Sequence, residues 1–247
     1  MKIKAAAFST KGIREHNEDS YLLHTKIGGT GIEDSLSVYE SEELPLFFAV
    51  ADGMGGHSAG AVASQFVVTK IKEIIETGIT LDEDNLQAKL PEIHKLLLEK
   101  GKNDNTENMG STFVALSLGK DVSGFCNVGD SRIYRLRNGF IQLLSHDDSL
   151  SEIIENAPKN IITNAIGAGL PEVSVETRFS SVIAVPGDVF LLCSDGAHGY
   201  ISDDDLERVL GQEKSILENC REILDLSLNN GSDDNSTALI VKVEREE

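Results

Sequence analysis

The sequence has little of what several common classes of protein require. It contains no tryptophan and only three cysteines, Cys126, Cys193 and Cys220, in 247 residues. Because the cysteines are isolated and odd in number, they form neither a disulfide framework nor the spacing of a zinc site, and we interpret them as packing residues in a reducing compartment. No stretch approaches the roughly 20 consecutive apolar residues that cross a bilayer, so we expect no membrane span.

Basic residues are also scarce: 22 Lys and Arg stand against 41 Asp and Glu, which gives a formal net charge of −19. This balance argues against a nucleic-acid-binding protein, because phosphate contacts need clustered Lys and Arg. The first eight residues begin with basic residues, but Ser9, Thr10 and Lys11 interrupt any apolar core of signal-peptide length. We therefore expect a cytoplasmic protein.

Apolar runs bounded by Gly, Asp or Asn predict seven strands, at 47–51, 112–118, 124–128, 133–136, 140–144, 189–193 and 238–243. Between the fourth and fifth, Asn138-Gly139 predicts a tight hairpin, since a type I′ turn needs positive φ at both central residues. The polar, glycine-containing segment 28–43 is interpreted as a loop.

Apolar residues at helical spacing predict a helix at 59–77, capped by His57 or Ser58, and three further helices at 84–100, 203–210 and 214–228. Pro91 is expected to disturb the second helix or to mark a second start. No linker composition or internal repeat divides the chain, so residues 1–247 are predicted to form a single domain.

Acidic residues recur where apolar runs end, in segments 14–19, 50–57, 128–132, 193–196 and 231–236. Each segment alone has an ordinary explanation, because Asp-Gly and Asp-Asn are common turns. Together they place carboxylates at several strand ends that can converge, and Mg²⁺ and Mn²⁺ prefer such oxygen ligands. The joint pattern favours a metal site.

Other phosphate and metal sites do not fit the sequence. The glycines after Asp52 are not followed by Gly-Lys-Ser/Thr, so a nucleotide phosphate loop is excluded. The acidic stretch 82–84 lacks the mid-loop glycine and the closing glutamate of an EF-hand. His57, His94 and His146 lack zinc spacing, and no cysteine is followed by the arginine of a Cys-dependent phosphatase loop.

Six blocks of the sequence resemble, in order, those of the metal-dependent PPM protein phosphatases, also called type 2C Ser/Thr phosphatases. The blocks are Arg-x-x-Asn-Glu-Asp from Arg14, Val-Ala-Asp-Gly-Met-Gly-Gly-His from Val50, Met109 to Thr112, Val128 to Tyr134, Ser194-Asp195-Gly196 and Asp234 to Thr237. The resemblance covers nearly the whole chain and points to the bacterial type. It implies an α+β fold, a sandwich of two antiparallel β-sheets flanked by α-helices in four αββα layers.

The same resemblance implies a site with two or three Mn²⁺ or Mg²⁺ ions at one end of the sandwich. Asp52 would bridge two metals, the Gly53 carbonyl would bind one, and Asp195 and Asp234 would bind the other. Two further acidic residues, Glu18 and Asp19, would join directly or through waters. A third, weaker metal would lie at Asp130 and Asp195, and Arg14 would hold the substrate phosphate.

The implied reaction is hydrolysis of phosphoserine or phosphothreonine in proteins by a metal-activated water, with no phosphoenzyme. The proton donor to the leaving group stays open between His57, His16 and a metal-bound water, because Met54 stands where many animal relatives have histidine. His57 could equally cap a helix. The expected partners are phosphoproteins and a cognate Ser/Thr kinase, with the chain itself a monomer.

Two other functions remain open: hydrolysis of small phosphoesters by the same site, and a non-catalytic regulator that binds phosphoproteins. The intact carboxylates count against the regulator. The segment after 144–149 is short compared with the flap of bacterial relatives, which leads to the hypothesis that a trimmed flap leaves the metal centre open and shifts substrate choice.

Overall fold

The computed structural model of the chain describes residues 1–55, 59–106, 108–158, 161–169 and 174–245. Within these ranges the chain forms fourteen strands: β1 (Lys2–Thr10), β2 (Asn17–Leu23), β3 (Lys26–Gly31), β4 (Ser35–Ser41), β5 (Leu46–Ala51), β6 (Gly53–Met54), β7 (Gly110–Ser111), β8 (Phe113–Leu118), β9 (Ser123–Val128), β10 (Arg132–Arg137), β11 (Phe140–Leu143), β12 (Arg178–Val182), β13 (Val189–Cys193) and β14 (Ser236–Glu244). All seven predicted strands are confirmed, with ends within two residues of the prediction.

Five α-helices are present in the same ranges: α1 (Ala59–Glu76), α2 (Glu83–Asp104), α3 (Asp195–His198), α4 (Asp203–Leu210) and α5 (Ile216–Asn229). Helix α5 begins with a capping box in which the Ser215 and Glu218 side chains bond to each other's backbone N–H groups. The four predicted helices are confirmed, and α3 is an additional short one. The proposed caps of α1, His57 and Ser58, lie outside the described residues.

Pro91 neither breaks α2 nor starts a second helix, so that prediction is wrong. A proline inside a helix removes the hydrogen bond to the carbonyl four residues earlier. That carbonyl belongs to Gln87, which is exposed, so water can take the place of the missing N–H donor.

Twelve strands form two six-stranded antiparallel sheets. The first sheet has the order β11-β10-β13-β14-β1-β4, the second has β12-β9-β8-β5-β2-β3, and β6 and β7 pair separately. Inward side chains of both sheets, such as Phe190 and Leu239 from the first and Phe48 and Val114 from the second, share one buried core. The two sheets therefore pack face to face as a sandwich.

Helices cover both outer faces of the sandwich. Because side chains alternate along a strand, β5 sends Phe48 and Val50 into the sandwich core, while Phe47 and Ala49 pack with α1 and α2. Helices α3, α4 and α5 pack in the same way on the outer face of the first sheet. The predicted αββα architecture is confirmed.

The predicted hairpin joins β10 and β11, with φ of 53° at Asn138 and 82° at Gly139. The predicted loop at 28–43 is wrong, because it contains most of β3 and all of β4, the edge strands beside β2 and β1. Here glycine serves packing rather than a turn: a side chain at Gly28 would overlap the ring of Tyr21 on the neighbouring strand. Edge position and polarity together hid these strands in the sequence.

One end of the sandwich, called the site end below, is where β1, β5, β9 and β13 finish and where β2, β8, β10 and β14 begin. Register pairs such as Thr10 with Ser236 and Ser20 with Ala51 lie there. The other end, near residues 137 and 188, is called the opposite end. None of the described helices is both long and apolar enough to cross a membrane.

Candidate metal centre

The candidate carboxylates come from separate elements, and all lie at the site end: Asp19 within β2, Asp52 after β5, Asp130 after β9, Asp195 at the start of α3, and Asp234 before β14. Their carboxylates lie near enough to one another to interact electrostatically. Asp52 experiences the charges of all four others. The structure thus brings together residues that are far apart in the sequence.

Asp52 is held by its backbone against the start of β8. Its N–H donates to Thr112 Oγ1 at 3.0 Å, and its carbonyl accepts from Thr112 N–H at 2.8 Å and from Ser111 Oγ at 3.0 Å. Burial, followed by the charges of Asp19 and Asp195, raises the pKa of the Asp52 carboxyl well above its ordinary value. The backbone of Asp52 is therefore fixed, although the ionised form of its side chain is destabilised there.

Asp19 is completely buried, and only one of its oxygens is satisfied. Oδ2 accepts from Ser194 Oγ at 2.8 Å and from Thr237 Oγ1 at 2.7 Å, whereas Oδ1 has no hydrogen-bond partner. Burial raises the pKa of Asp19 to about 7 despite these two hydrogen bonds. The two hydroxyl groups orient the carboxylate and leave one oxygen available to a ligand.

Glu18 and the Gly53 carbonyl meet at the first turn of α1. A side chain added at Gly60 would overlap Glu18 Oε2 and would lie 2.6 Å from the Gly53 carbonyl oxygen. The Glu18 carboxylate oxygen and the Gly53 carbonyl oxygen therefore both lie close to Gly60. The structure brings this predicted pair of ligands together, on the α1 side of the cluster.

Asp130 lies in a tight turn after β9 and is buried. Its Oδ1 atom has no hydrogen-bond partner, and burial, reinforced by the charge of Asp195, raises the pKa of Asp130 to about 7. Asp130 and Asp195 line one cavity of about 320 Å³, together with Asp147, Glu152, His198 and Tyr200. The two residues predicted to share a third metal are thus neighbours in space.

Arg14 lies at the exposed rim of the cluster, with 53% of its side chain accessible. Its Nε donates to the Asp233 carbonyl at 2.7 Å, and one terminal nitrogen donates to Asp234 Oδ2 at 3.1 Å. These bonds turn the guanidinium toward the candidate site while its remaining N–H groups are available for other acceptors.

Asn235 connects the two loops that carry Arg14 and Asp234, a role that sequence reasoning missed. Its Oδ1 accepts from Glu18 N–H at 2.8 Å, and its Nδ2 donates to the carbonyls of Lys11 at 3.1 Å and His16 at 2.9 Å. The sequence signal was present, because Asn235 belongs to the Asp-Asn-Ser-Thr block. Its partners could not be predicted, since they lie more than 200 residues away.

The candidate proton donors stay unassigned. The His16 side chain is exposed at the rim of the site end. His57 lies outside the described residues. The cysteines are buried and unpaired, and burial raises the pKa of the Cys126 and Cys220 thiols to about 12, which leaves them protonated and unreactive.

The residues present fit divalent cations. Three buried carboxylate oxygens, on Asp19, Asp130 and Asp195, have no hydrogen-bond partner, and such orphaned charge is costly unless a cation offsets it. No group of three or more Asp, Glu, His or Cys side chains in the described ranges could hold an ion by itself.

A sandwich of two antiparallel sheets with a carboxylate cluster at one end is the arrangement that the sequence blocks implied for a metal-dependent protein phosphatase. The family model described as protein phosphatase 2C matches residues 26–230. The chain belongs to this family, as its sequence blocks predicted.

Individual relatives agree over nearly the whole chain. The serine/threonine phosphatase stp of Listeria welshimeri is 30% identical over 248 residues, which cover 93% of this chain and 91% of the relative. The crystal structure of the Mycobacterium tuberculosis serine/threonine phosphatase PstP/Ppp has a TM-score of 0.79 and 27% identity, covering 99% of this chain and 100% of the other. The catalytic domain of a PstP solved in complex with two manganese ions has a TM-score of 0.76 and 28% identity, with coverage of 99% and 100%.

Proposed function

We propose that this chain hydrolyses phosphoserine and phosphothreonine in proteins, using two or three Mn²⁺ or Mg²⁺ ions. The observation that carries the proposal is the set of buried, mutually repelling carboxylates at the site end, three of which have an oxygen without a partner. Similarity to named Ser/Thr phosphatases, one of them solved with two manganese ions, supports both the substrate class and the cofactor.

The proposed ligands are Glu18, Asp19, Asp52, Asp195, Asp234 and the Gly53 carbonyl, with Asp130 at a third ion. Bound divalent cations would lower the pKa of a water molecule and neutralise charge on the phosphoryl oxygens. Ser194 and Thr237 orient Asp19 for this task, and Thr112 fixes the backbone of Asp52.

Arg14 is the proposed phosphate-binding residue. A guanidinium can donate two parallel hydrogen bonds to a phosphoryl group, which a lysine cannot reproduce. The bonds from Arg14 to the Asp233 carbonyl and to Asp234 restrict the guanidinium to the rim of the cluster, so less orientational freedom is lost when phosphate binds.

The proposed setting is a single domain, residues 1–247, acting as a monomer in the cytoplasm on phosphoproteins made by a cognate Ser/Thr kinase. The shared core of the two sheets supports one domain. The net charge of −19 favours protein substrates over nucleic acid.

The test is phosphate release by the purified protein from phosphoserine and phosphothreonine peptides and from an aryl phosphate, with Mn²⁺, Mg²⁺ or a chelator. We expect release from the peptides that requires metal and stops with chelator. Release from the aryl phosphate alone would favour a small-phosphoester hydrolase. Peptide binding without release would favour the non-catalytic regulator, and either result would overturn the proposal.

A further inference from the structure

Asp148 is a buried carboxylate in the loop that returns from β11 toward β12, and its side chain is only 3% exposed. We call residues 147–164 the flap segment; all but 159 and 160 are described. The Asp148 carboxylate accepts from Gly129 N–H at 3.1 Å, from Asn164 Nδ2 at 2.7 Å and from Arg178 Nε at 2.9 Å. Three separate parts of the chain thus converge on one side chain.

The first of these parts is the turn that carries Asp130. Gly129 is held at two points, because its N–H donates to the Asp148 carboxylate and its carbonyl accepts from Asp148 N–H at 3.0 Å. Its φ of +93° and its contact with the Thr112 side chain leave no room for another residue. On the other side of the turn, the Asp130 carbonyl lies 3.1 Å from His198 Nε2.

The other two parts connect the flap segment to the edge of the second sheet. Asn164 donates from Nδ2 to the Glu176 carbonyl at 2.7 Å, and its Oδ1 accepts from Glu176 N–H at 3.2 Å. The Asp148 carbonyl accepts from Thr163 N–H at 2.8 Å. Asp148 therefore joins both arms of the flap segment to the Gly129 turn, and Arg178 at the start of β12 balances its charge.

We propose that Asp148 is a positioning residue for divalent-cation binding at Asp130. The Asp130 carboxylate has an oxygen without a hydrogen-bond partner, so the backbone of its turn contributes to fixing its place. Asp148 fixes Gly129, the residue immediately before Asp130. The inference rests on the proposed function only in that Asp130 binds a divalent cation.

The test is Mn²⁺ binding to the full chain, measured by calorimetry and by the electron paramagnetic resonance signal of free Mn²⁺. Asp130→Asn first identifies the binding step that depends on Asp130. Asp148→Asn keeps the size of the side chain but has a single acceptor oxygen, so it cannot accept from Arg178 on one side and from Gly129 and Asn164, which share Oδ2, on the other. We expect it to weaken that step about tenfold, as loss of a group that orients a metal ligand does, and to leave the tighter steps unchanged.

Asp188→Asn is the matched control. Asp188 is another buried carboxylate paired with an arginine, Arg137, but it lies at the opposite end. This variant should leave every Mn²⁺ step at its wild-type constant. The Mn²⁺ concentration for half-maximal phosphatase activity should rise about tenfold in Asp148→Asn, with kcat at saturating Mn²⁺ close to wild type.

The proposal is overturned if Asp148→Asn binds Mn²⁺ at every step like wild type, or if Asp130→Asn loses no step. Should Asp148→Asn fail to fold, Arg178→Gln replaces it, because 43% of the Arg178 side chain is exposed and Asp148 keeps its bonds to Gly129 and Asn164. That variant should weaken the same step about threefold, and no change would equally overturn the inference. Absence of phosphatase activity in the wild type would end the proposed function alone, since Mn²⁺ binding is measured independently.

Discussion

The two ends of the sandwich contain buried carboxylates in opposite electrostatic settings. At the opposite end, the two oxygens of the fully buried Asp188 accept from Arg137 at 2.6 and 2.7 Å. At the site end, Asp19, Asp52 and Asp195 are packed beside one another, and burial raises the pKa of each. The first arrangement is complete within the chain, whereas the second calls for positive charge from outside it.

The largest expected effect is loss of turnover at the site end. Asp52→Asn and Asp195→Asn should each lower kcat by about 10³-fold or more, because each removes a charge that, in the proposed function, would hold the cations stabilising the reaction. Neutralising one member of the repelling cluster should leave the metal-free protein at least as stable as wild type. Steady-state kinetics and thermal unfolding of the same preparations measure both quantities.

Asp188→Asn sharpens the comparison from the other end. It should lower the free energy of unfolding by about 1–3 kcal/mol, because Arg137 loses its charged partner, while kcat stays at the wild-type value. Wild-type turnover in Asp52→Asn, or strong loss of turnover in Asp188→Asn, would contradict the assignment of the two ends.

The next largest effect concerns the rim of the site end. Arg14→Ala should raise KM for a phosphopeptide about tenfold, because the proposed bidentate hydrogen bonds to the phosphoryl group would be lost. Arg14→Lys should recover little of this loss, since an ammonium group cannot make the same pair of bonds. Unchanged kinetic constants in both variants would remove Arg14 from the site.

When a chelator removes bound metal, the repulsion among the carboxylates at the site end should make the stability of the protein depend on pH. The pKa of Asp19 is about 7 in the folded chain against an ordinary value of 3.8, so between these pH values the folded state binds more protons than the unfolded state. Stability of the metal-free protein should therefore fall as pH rises from about 4 to about 7. Asp19→Asn should show a smaller fall, and thermal unfolding in a chelator across this range decides the matter.

The smallest effect is expected at the hairpin between β10 and β11, which lies far from Asp130. Gly139 has a φ of 82°, so Gly139→Ala should cost about 1 kcal/mol in unfolding free energy without changing kcat or KM. Denaturant unfolding gives the first value and the peptide assay the second. A change in kinetics here would show that the two ends are coupled.

Much of the fold could be predicted because its core strands are continuous apolar runs. The run at 46–51 is buried on both faces, so its hydrophobicity is visible without any tertiary information. The edge strands β3 and β4 could not be found in this way. Both are rich in polar residues, β3 also contains glycines, and they become strands because β2 and β1 offer unpaired backbone groups beside them.

The acidic side chains of the site could also be found from the sequence, since each lies in a short motif. What the motifs did not contain was the set of hydrogen bonds that hold these side chains. Asn235 and Asp148 bond to residues that are distant in sequence. The same is true of the hydroxyl groups of Ser194 and Thr237, which donate to Asp19. The hypothesis of a trimmed flap stays a prediction; the flap segment contains one short 3₁₀ turn, Leu150–Glu152, in its described part.

The contact between Gly60 and Gly53 has a consequence for how this sequence can diverge. Helix α1 can exchange its exposed residues with little penalty, yet at position 60 even a methyl group would displace the Gly53 carbonyl and the Glu18 carboxylate together. A lineage that lost this glycine would retain the sandwich while altering its centre. The residue at position 60 therefore indicates whether a descendant of this chain can keep the proposed cation site.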